Sequence, residues 1–343
     1  MMHEITQSGM LLDKKGHLTE PGWAKSLLLS YDRKAIKAAG RRIKEWDYYL
    51  INNDRFAVAL TIDDNSYMGL ASISLLDFEN KWEITTSPMK WFTGGKTGFP
   101  STSAEGDVHT EGKGYFIDFK NEGSQRVLTF HMDKFKGKKA IDGSITLACP
   151  ETDTMVIATP FPKDKKAFYY NQKINCMPAS GNVAFDGVAY TFSSEDSMGV
   201  LDWGRGVWTY KNTWFWGSCS SRLDGVPFGF NIGYGFGDTS AASENMLFYN
   251  NKAHKLSQVT FNIPQKGGKD DFLSPWTFTS DDGRFEMDFM PIIDRASKTD
   301  VGVICSDQHQ VFGRFTGKAV LDDGTVLEIS DMLGFAEKVF NKW

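Results

Sequence analysis

Five Asp-Gly pairs punctuate the 343-residue chain, at 142–143, 186–187, 224–225, 282–283 and 323–324. Such a pair between apolar alternations is a strong signal for a two-residue hairpin, because both residues accept positive φ. Val183 to Tyr190 and Ala319 to Leu327 show the full pattern. Tyr115 to Phe119 and Val127 to Phe130 alternate apolar with polar, and Ile145 to Cys149 and Met155 to Thr159 are β-rich. A chain so divided is restricted to meandering antiparallel sheets, closed as barrels or paired as sandwiches. The 26 Phe, 11 Tyr and 10 Trp, with 33 Gly, suit the same all-β class.

One segment departs from this pattern. Tyr31 to Trp46 reads as a single short helix, with Ala35, Ile36, Ala38 and Ala39 on its weak apolar side. Arg33, Lys34, Lys37, Arg41, Arg42 and Lys44 cover the rest. The absence of large apolar residues beyond Ile36 favours a solvated helix, or an irregular segment, lying over one end of a sheet. Contact with acidic lipid headgroups is the alternative. The length favours two domains. Residues 160–166, with two prolines and four charges, form the expected boundary, dividing 1–165 from 166–343. Each half suffices for a small eight-stranded barrel that can hold one small ligand.

The net charge of -5 argues against nucleic acid as a partner. Cys149, Cys176, Cys219 and Cys305 are scattered, as reduced thiols in a cytoplasmic protein would be. No signal-peptide pattern or membrane-spanning apolar run is present. Gly94 to Thr97 ends like a phosphate loop, but Lys90 stands where that pattern needs glycine. Gly233 to Gly237 alternates glycines among strand signals, which is the wrong context for a dinucleotide site. No cofactor or metal-ligand motif emerges, and His109 reads as part of a hairpin tip.

The richest segment is Leu201 to Trp216, which carries Trp203, Trp208, Trp214 and Trp216 around Asp202 and Arg205. On a strand, Trp214 and Trp216 share a face, as do Trp208 and Tyr210. Two readings compete. In one, the rings fill a barrel core and Asp202 pairs with Arg205 as a buried ion pair. In the other, the rings wall a pocket, burial raises a carboxyl's pKa, and ring faces stabilise a developing cation. Tyr170, Asn171 and Lys173 lie near the start of a neighbouring strand. Asn231, Glu244 and Asn245 follow the Trp-rich stretch, where capping of turns is the competing role for both asparagines.

Several stretches, in order, resemble a bacterial family of uncharacterised domains, domain-of-unknown-function family 2804. They are Leu12 to Trp23, Lys44 to Tyr49, Phe168 to Lys173, Met177 to Gly181, Leu201 to Trp208, Glu244-Asn245, Pro275-Trp276, His309 to Gly313 and Gly334 to Glu337. The order Phe-Tyr-Tyr-Asn-Gln-Lys, Met-Pro-Ala-Ser-Gly, Leu-Asp-Trp-Gly and Trp-x-Trp is more distantly similar to the carotenoid hydratases, the AttH-like proteins and tocopherol cyclase. That resemblance implies two consecutive lipocalin-like, or calycin-like, β-barrels with a hydrophobic cavity. It further implies that Asp202 protonates an alkene. Where those proteins tend to carry Asp-His-x-Trp-Gly, this chain has Asp202-Trp203-Gly204-Arg205-Gly206.

The expected function is binding of a hydrophobic small molecule, a lipid or isoprenoid. The alternative is acid/base catalysis of hydratase, cyclase or isomerase type on such a molecule, and a carbohydrate-active protein ranks third. Asp202, Arg205 and Glu244 are the catalytic candidates. Trp203, Trp208, Tyr210, Trp214, Trp216, Tyr170, Asn171, Lys173, Asn231 and Asn245 are the ligand-binding candidates.

Overall fold

The computed structural model describes residues 2–342 apart from 301 and 303. Strands account for 64% of the chain and helix for 2%, in agreement with an all-β, lipocalin-like reading. Two large sheets are present. The first has 14 strands and runs from Gly22–Ala24 through Met198–Val207. Its central strands are Phe56–Asp64, Ile43–Asn52, Met198–Val207 and Asp164–Phe185, in that spatial order. The second has nine strands, from Lys211–Leu223 onward, and curls as a half-barrel. Among the described residues no helix is long and apolar enough to cross a membrane.

Four of the five Asp-Gly pairs lie at turns. At 186–187 and 224–225 both residues have positive φ, 52° and 78° in one case and 51° and 80° in the other. Such a turn carries the right-handed twist of its strands. The pair at 142–143 is different and lies inside Lys139–Ala148. A Cβ at Gly143 would come within 2.1 Å of the Phe130 ring across the ladder, so this glycine makes room for a ring.

The expected helix does not form. Residues 33–35 and 40–42 make two 3₁₀ turns, and Ile43–Asn52 enters the sheet with ten ladder partners on the Met198–Val207 strand. A helix there would offer only Ile36 as a large apolar anchor, whereas the strand buries Tyr48, Tyr49, Leu50 and Ile51. The sheets change over at 208–210, after the Met198–Val207 strand. Residues 160–166, where the boundary was expected, form a tight hairpin within the first sheet.

Three cores hold the molecule together. One fills the first sheet and includes Trp203, Tyr170, Tyr31 and Val207. A second fills the half-barrel around Phe230, Trp276, Phe289 and Phe315. The third joins the two sheets face to face, with Tyr48, Leu50 and Val200 against Trp216, Phe312, Leu333 and Phe335.

Candidate functional site between the two sheets

The site follows from strand register. Residues directly opposite in an antiparallel ladder share a face, and neighbours along a strand point to opposite faces. One row across the first sheet reads Lys173, Asp202, Tyr48, Thr61. One row across the second reads Gly233, Trp216, Glu337, Gln310, Arg295. The rows confront each other. Lys173 Nζ sits 3.8 Å from the centre of the Trp216 ring, and Tyr48 Oη lies within hydrogen-bond distance of Gln310 at 3.4 Å.

Asp202 is fully engaged in this interface. Its Oδ1 accepts from Asn171 Nδ2 at 2.6 Å and pairs with Lys173 Nζ at 2.7 Å. Its Oδ2 accepts from Trp46 Nε1 at 3.1 Å. The Trp46 ring covers Gly204, where a Cβ would come within 2.0 Å of the ring, and stacks on Tyr169 at 5.8 Å. Gly204 therefore lets an indole lie flat beside the carboxylate. Glu244 approaches Lys173 from the second sheet at 3.8 Å and accepts from Asn231 Nδ2 at 3.2 Å. Its carboxyl lies over Gly233, the same device on the opposite wall. Burial raises the Glu244 carboxyl, opposed by Lys173. Asn231 also accepts from Trp216 Nε1 at 2.7 Å, which fixes the ring under the ammonium.

Glu337 is the carboxyl that sequence reading missed. It accepts from Trp214 Nε1 at 2.9 Å and from Gln310 Nε2 at 3.0 Å. Burial pushes it up to about 7, opposed by the Trp214 bond, Lys173 and Arg295 and assisted by Asp202. Tyr48, pushed up to about 12 by burial, and Tyr169, raised well above its ordinary value, complete the titratable groups around it. Aromatic rings close one end: Trp208 meets Trp46, Trp214 and Phe236 edge to face at 4.8–5.8 Å.

The remaining candidates lie elsewhere. The Asp202–Arg205 pair does not form, because residues three apart on an unbroken strand face opposite ways. Arg205 is fully buried on the other face of the first sheet, its barrel face, which holds that sheet's own core. Its Nη1 donates to Asp47 Oδ1 at 3.0 Å, to the Trp46 carbonyl at 2.7 Å and to the Gly204 carbonyl at 2.9 Å. Its guanidinium lies 4.2 Å from the Trp203 ring centre. Trp203 and Tyr170 share that face and meet edge to face at 5.7 Å. Asn245 holds backbone, accepting from Gly233 N at 2.7 Å and donating to the Ser257 carbonyl at 2.8 Å. Tyr210 is half exposed, within 6.0 Å of Lys342 Nζ. A groove of about 570 Å³, bordered by Arg55, Trp82, Lys136, Lys139, Phe185 and Tyr190, opens on the first sheet and contains no expected site residue.

Trp46, Gln310 and Glu337 lie in stretches that carry the family resemblance, Lys44 to Tyr49, His309 to Gly313 and Gly334 to Glu337. That was the available signal for them.

The fold is shared with solved structures. A protein described as an AttH from Nitrosomonas europaea aligns over 87% of this chain and 92% of its own, at 12% identity and a TM-score of 0.53. Kievitone hydratase from Nectria haematococca aligns over 97% of this chain and 98% of its own, at 10% identity and a TM-score of 0.50. At these identities the likeness is one of fold. No curated protein sequence matches at a significant level. The family model described as "Domain of unknown function (DUF2804)" matches residues 2–343, and the chain belongs to that family.

Proposed function

We propose that the protein is an acid/base enzyme acting on a small, largely apolar molecule held between the two sheets. The supporting observation is the confrontation of a carboxyl raised to about 7, Glu337, with a Lys173–Asp202 ion pair among indole rings. A carboxyl titrating near neutrality exists as acid and as base at working pH, the condition for general acid catalysis. Asp202, engaged by Lys173, Asn171 and Trp46, is the hydrogen-bonded carboxylate of the pair. Glu337 then delivers a proton to an alkene or enol carbon. The cation so formed is stabilised by the Asp202 carboxylate and by the face of Trp214, and Asp202 takes a proton from the attacking water or from the adjacent carbon. Trp208 and Tyr169 shape the apolar wall, and Lys173 with Asn171 holds Asp202 in place. The fold shared with kievitone hydratase fits a hydratase-type reaction.

The test is incubation of the protein with an apolar cell extract in deuterium oxide, followed by mass spectrometry. The proposal expects compounds that gain carbon-bound deuterium with the wild type and none with Glu337→Gln. Compounds that co-purify with the protein but never exchange would make it a carrier and overturn the enzymatic reading.

A further inference from the structure

The basic segment 33–42 is exposed as two 3₁₀ turns, and it does not stand alone. Lys34, Lys37 and Arg41 are solvent-facing, as are Lys163, Lys165 and Lys166 of the 160–166 hairpin. The two segments are tied together. Arg42 pairs with Asp164 at 2.7 Å, and Lys166 Nζ approaches the Lys37 carbonyl at 3.5 Å. Of the acids at this rim, Asp164 is paired with Arg42, Asp32 accepts from the Lys34 backbone N–H at 2.8 Å, and Asp238, joined to Pro160 through its backbone, accepts from the Ser240 N–H at 3.0 Å. Six exposed cations thus gather on one edge of a chain whose net charge is -5.

The rim continues into the loop that resembles a phosphate loop. Arg33 packs against Gly95, where a Cβ would come within 2.6 Å of the guanidinium carbon, and Lys96 beyond it is exposed. The loop does not hold phosphate. Its Gly95 N–H and Thr97 hydroxyl donate to the Asp64 carboxylate at 3.0 and 3.1 Å. Asp64 thereby presents the preceding turn outward. The short edge strand Met89–Trp91, with Phe92 after it, carries the largest exposed apolar side chains of the region: Met89 at 54%, Trp91 at 60% and Phe92 at 79%. Phe92 has φ 59°, and its N–H donates to the Tyr67 carbonyl at 2.7 Å, so the ring is held out by a fixed turn. Large exposed apolar side chains grouped beside cations mark an interaction surface.

We propose that this edge docks on an anionic lipid bilayer. Lysines near an anionic surface contribute additively, and Trp and Phe at a loop tip enter the headgroup region. A second copy of the chain fits poorly, because a two-fold contact sets this basic edge against itself. The edge also adjoins the site. Arg42 Nε donates to the Trp208 carbonyl at 3.0 Å, and Phe161 of the hairpin meets Phe236 at 5.3 Å. An apolar molecule leaving the bilayer here meets the aromatic end of the site, but the docking surface stands without that reading.

The test is flotation of the full chain with vesicles of phosphatidylcholine and phosphatidylglycerol, against phosphatidylcholine alone. The proposal expects association with the mixed vesicles only, falling as salt rises. Neutralising Lys163, Lys165 and Lys166 together to Gln should weaken association about a hundredfold, since each cation contributes about fivefold. Trp91→Ser with Phe92→Ser should weaken it about tenfold with the charge unchanged. All these positions are exposed, and circular dichroism is the check that the variants fold. Equal association with both vesicle types, association with neither, or indifference to both sets of substitutions overturns the proposal. So does binding to a single-stranded oligonucleotide without binding to vesicles.

Discussion

The two faces of the same pair of strands, Asp164–Phe185 and Met198–Val207, make opposite use of buried charge. On the barrel face, Arg205 and Asp47 lie among Trp203, Tyr170, Tyr31 and Phe99. Arg205 meets one carboxylate and three carbonyls, those of Trp46, Gly204 and Pro100, Arg126 adds a second cation near Asp47, and burial raises the Asp47 carboxyl within a packed core. On the interface face, Asp202, Glu244 and Glu337 converge on Lys173, with Arg295 as the further cation in the opposing row. Carboxyls are in excess there, and burial holds two of them above their ordinary range. Both faces are almost fully buried and both carry tryptophan. Burial and ring content therefore do not separate a core from a site. The balance between charges does.

The largest effect that would test this contrast is on the barrel face. Arg205→Met removes the hydrogen-bonded partner of the buried Asp47, leaving only the electrostatic pull of Arg126, and should cost about 3 kcal/mol in chemical denaturation. A cost below about 1 kcal/mol would mean that the barrel-face pair is not structural.

Glu337→Gln should act in the opposite direction, and with pH. The native carboxyl is raised to about 7 from its ordinary value of 4.5. The native state therefore binds the proton more tightly than the unfolded chain. The stability this confers is complete below about pH 4.5 and is lost as pH rises through 7. Glu337→Gln removes the dependence, so its stability relative to wild type should grow by about 2–3 kcal/mol between pH 4.5 and 8. Comparing denaturation curves of the two proteins at matched pH isolates this group. A constant difference would show that Glu337 is not raised.

Asp202→Asn should be milder than Arg205→Met, at about 1–2 kcal/mol, because Glu244 remains for Lys173 and the amide oxygen still accepts, although the amide nitrogen then faces donors only. Deuterium incorporation should nonetheless disappear. A loss as large as that of Arg205→Met would make the interface a second core. The smallest effect belongs to Tyr210, which lies outside both faces. Tyr210→Ser should shift stability by less than about 0.5 kcal/mol and leave deuterium incorporation intact.

Sequence periodicity carried much of the fold and part of the site. Asp-Gly chemistry located four hairpins, and only a ring packed on Gly143 broke the pattern. Of the candidate residues, Asp202, Lys173, Asn171, Glu244, Asn231, Trp214 and Trp216 converge at the interface, with Trp208 at its aromatic end. Arg205, Trp203 and Tyr170 sit on the same strands one step out of phase. Two-residue alternation already separated 171, 173 and 202 from 170, 203 and 205. Grouping by nearness in sequence concealed it. The partners across the interface were illegible for another reason. Trp46 reaches Asp202 over 156 positions, Glu337 reaches Trp214 over 123 and Gln310 reaches Tyr48 over 262. No local pattern encodes how two sheets pack. The basic stretch, expected as a solvated helix or an irregular segment, shows the complementary limit. Charge was legible there, but the demand for a central strand beginning at Ile43 overrode helix propensity.

The most direct measurement is difference infrared spectroscopy of wild type against Glu337→Gln across pH. The account predicts a protonated-carboxyl stretch, absent from the variant, that disappears with a midpoint near pH 7. A carboxylate already ionised at pH 5 and above would contradict it.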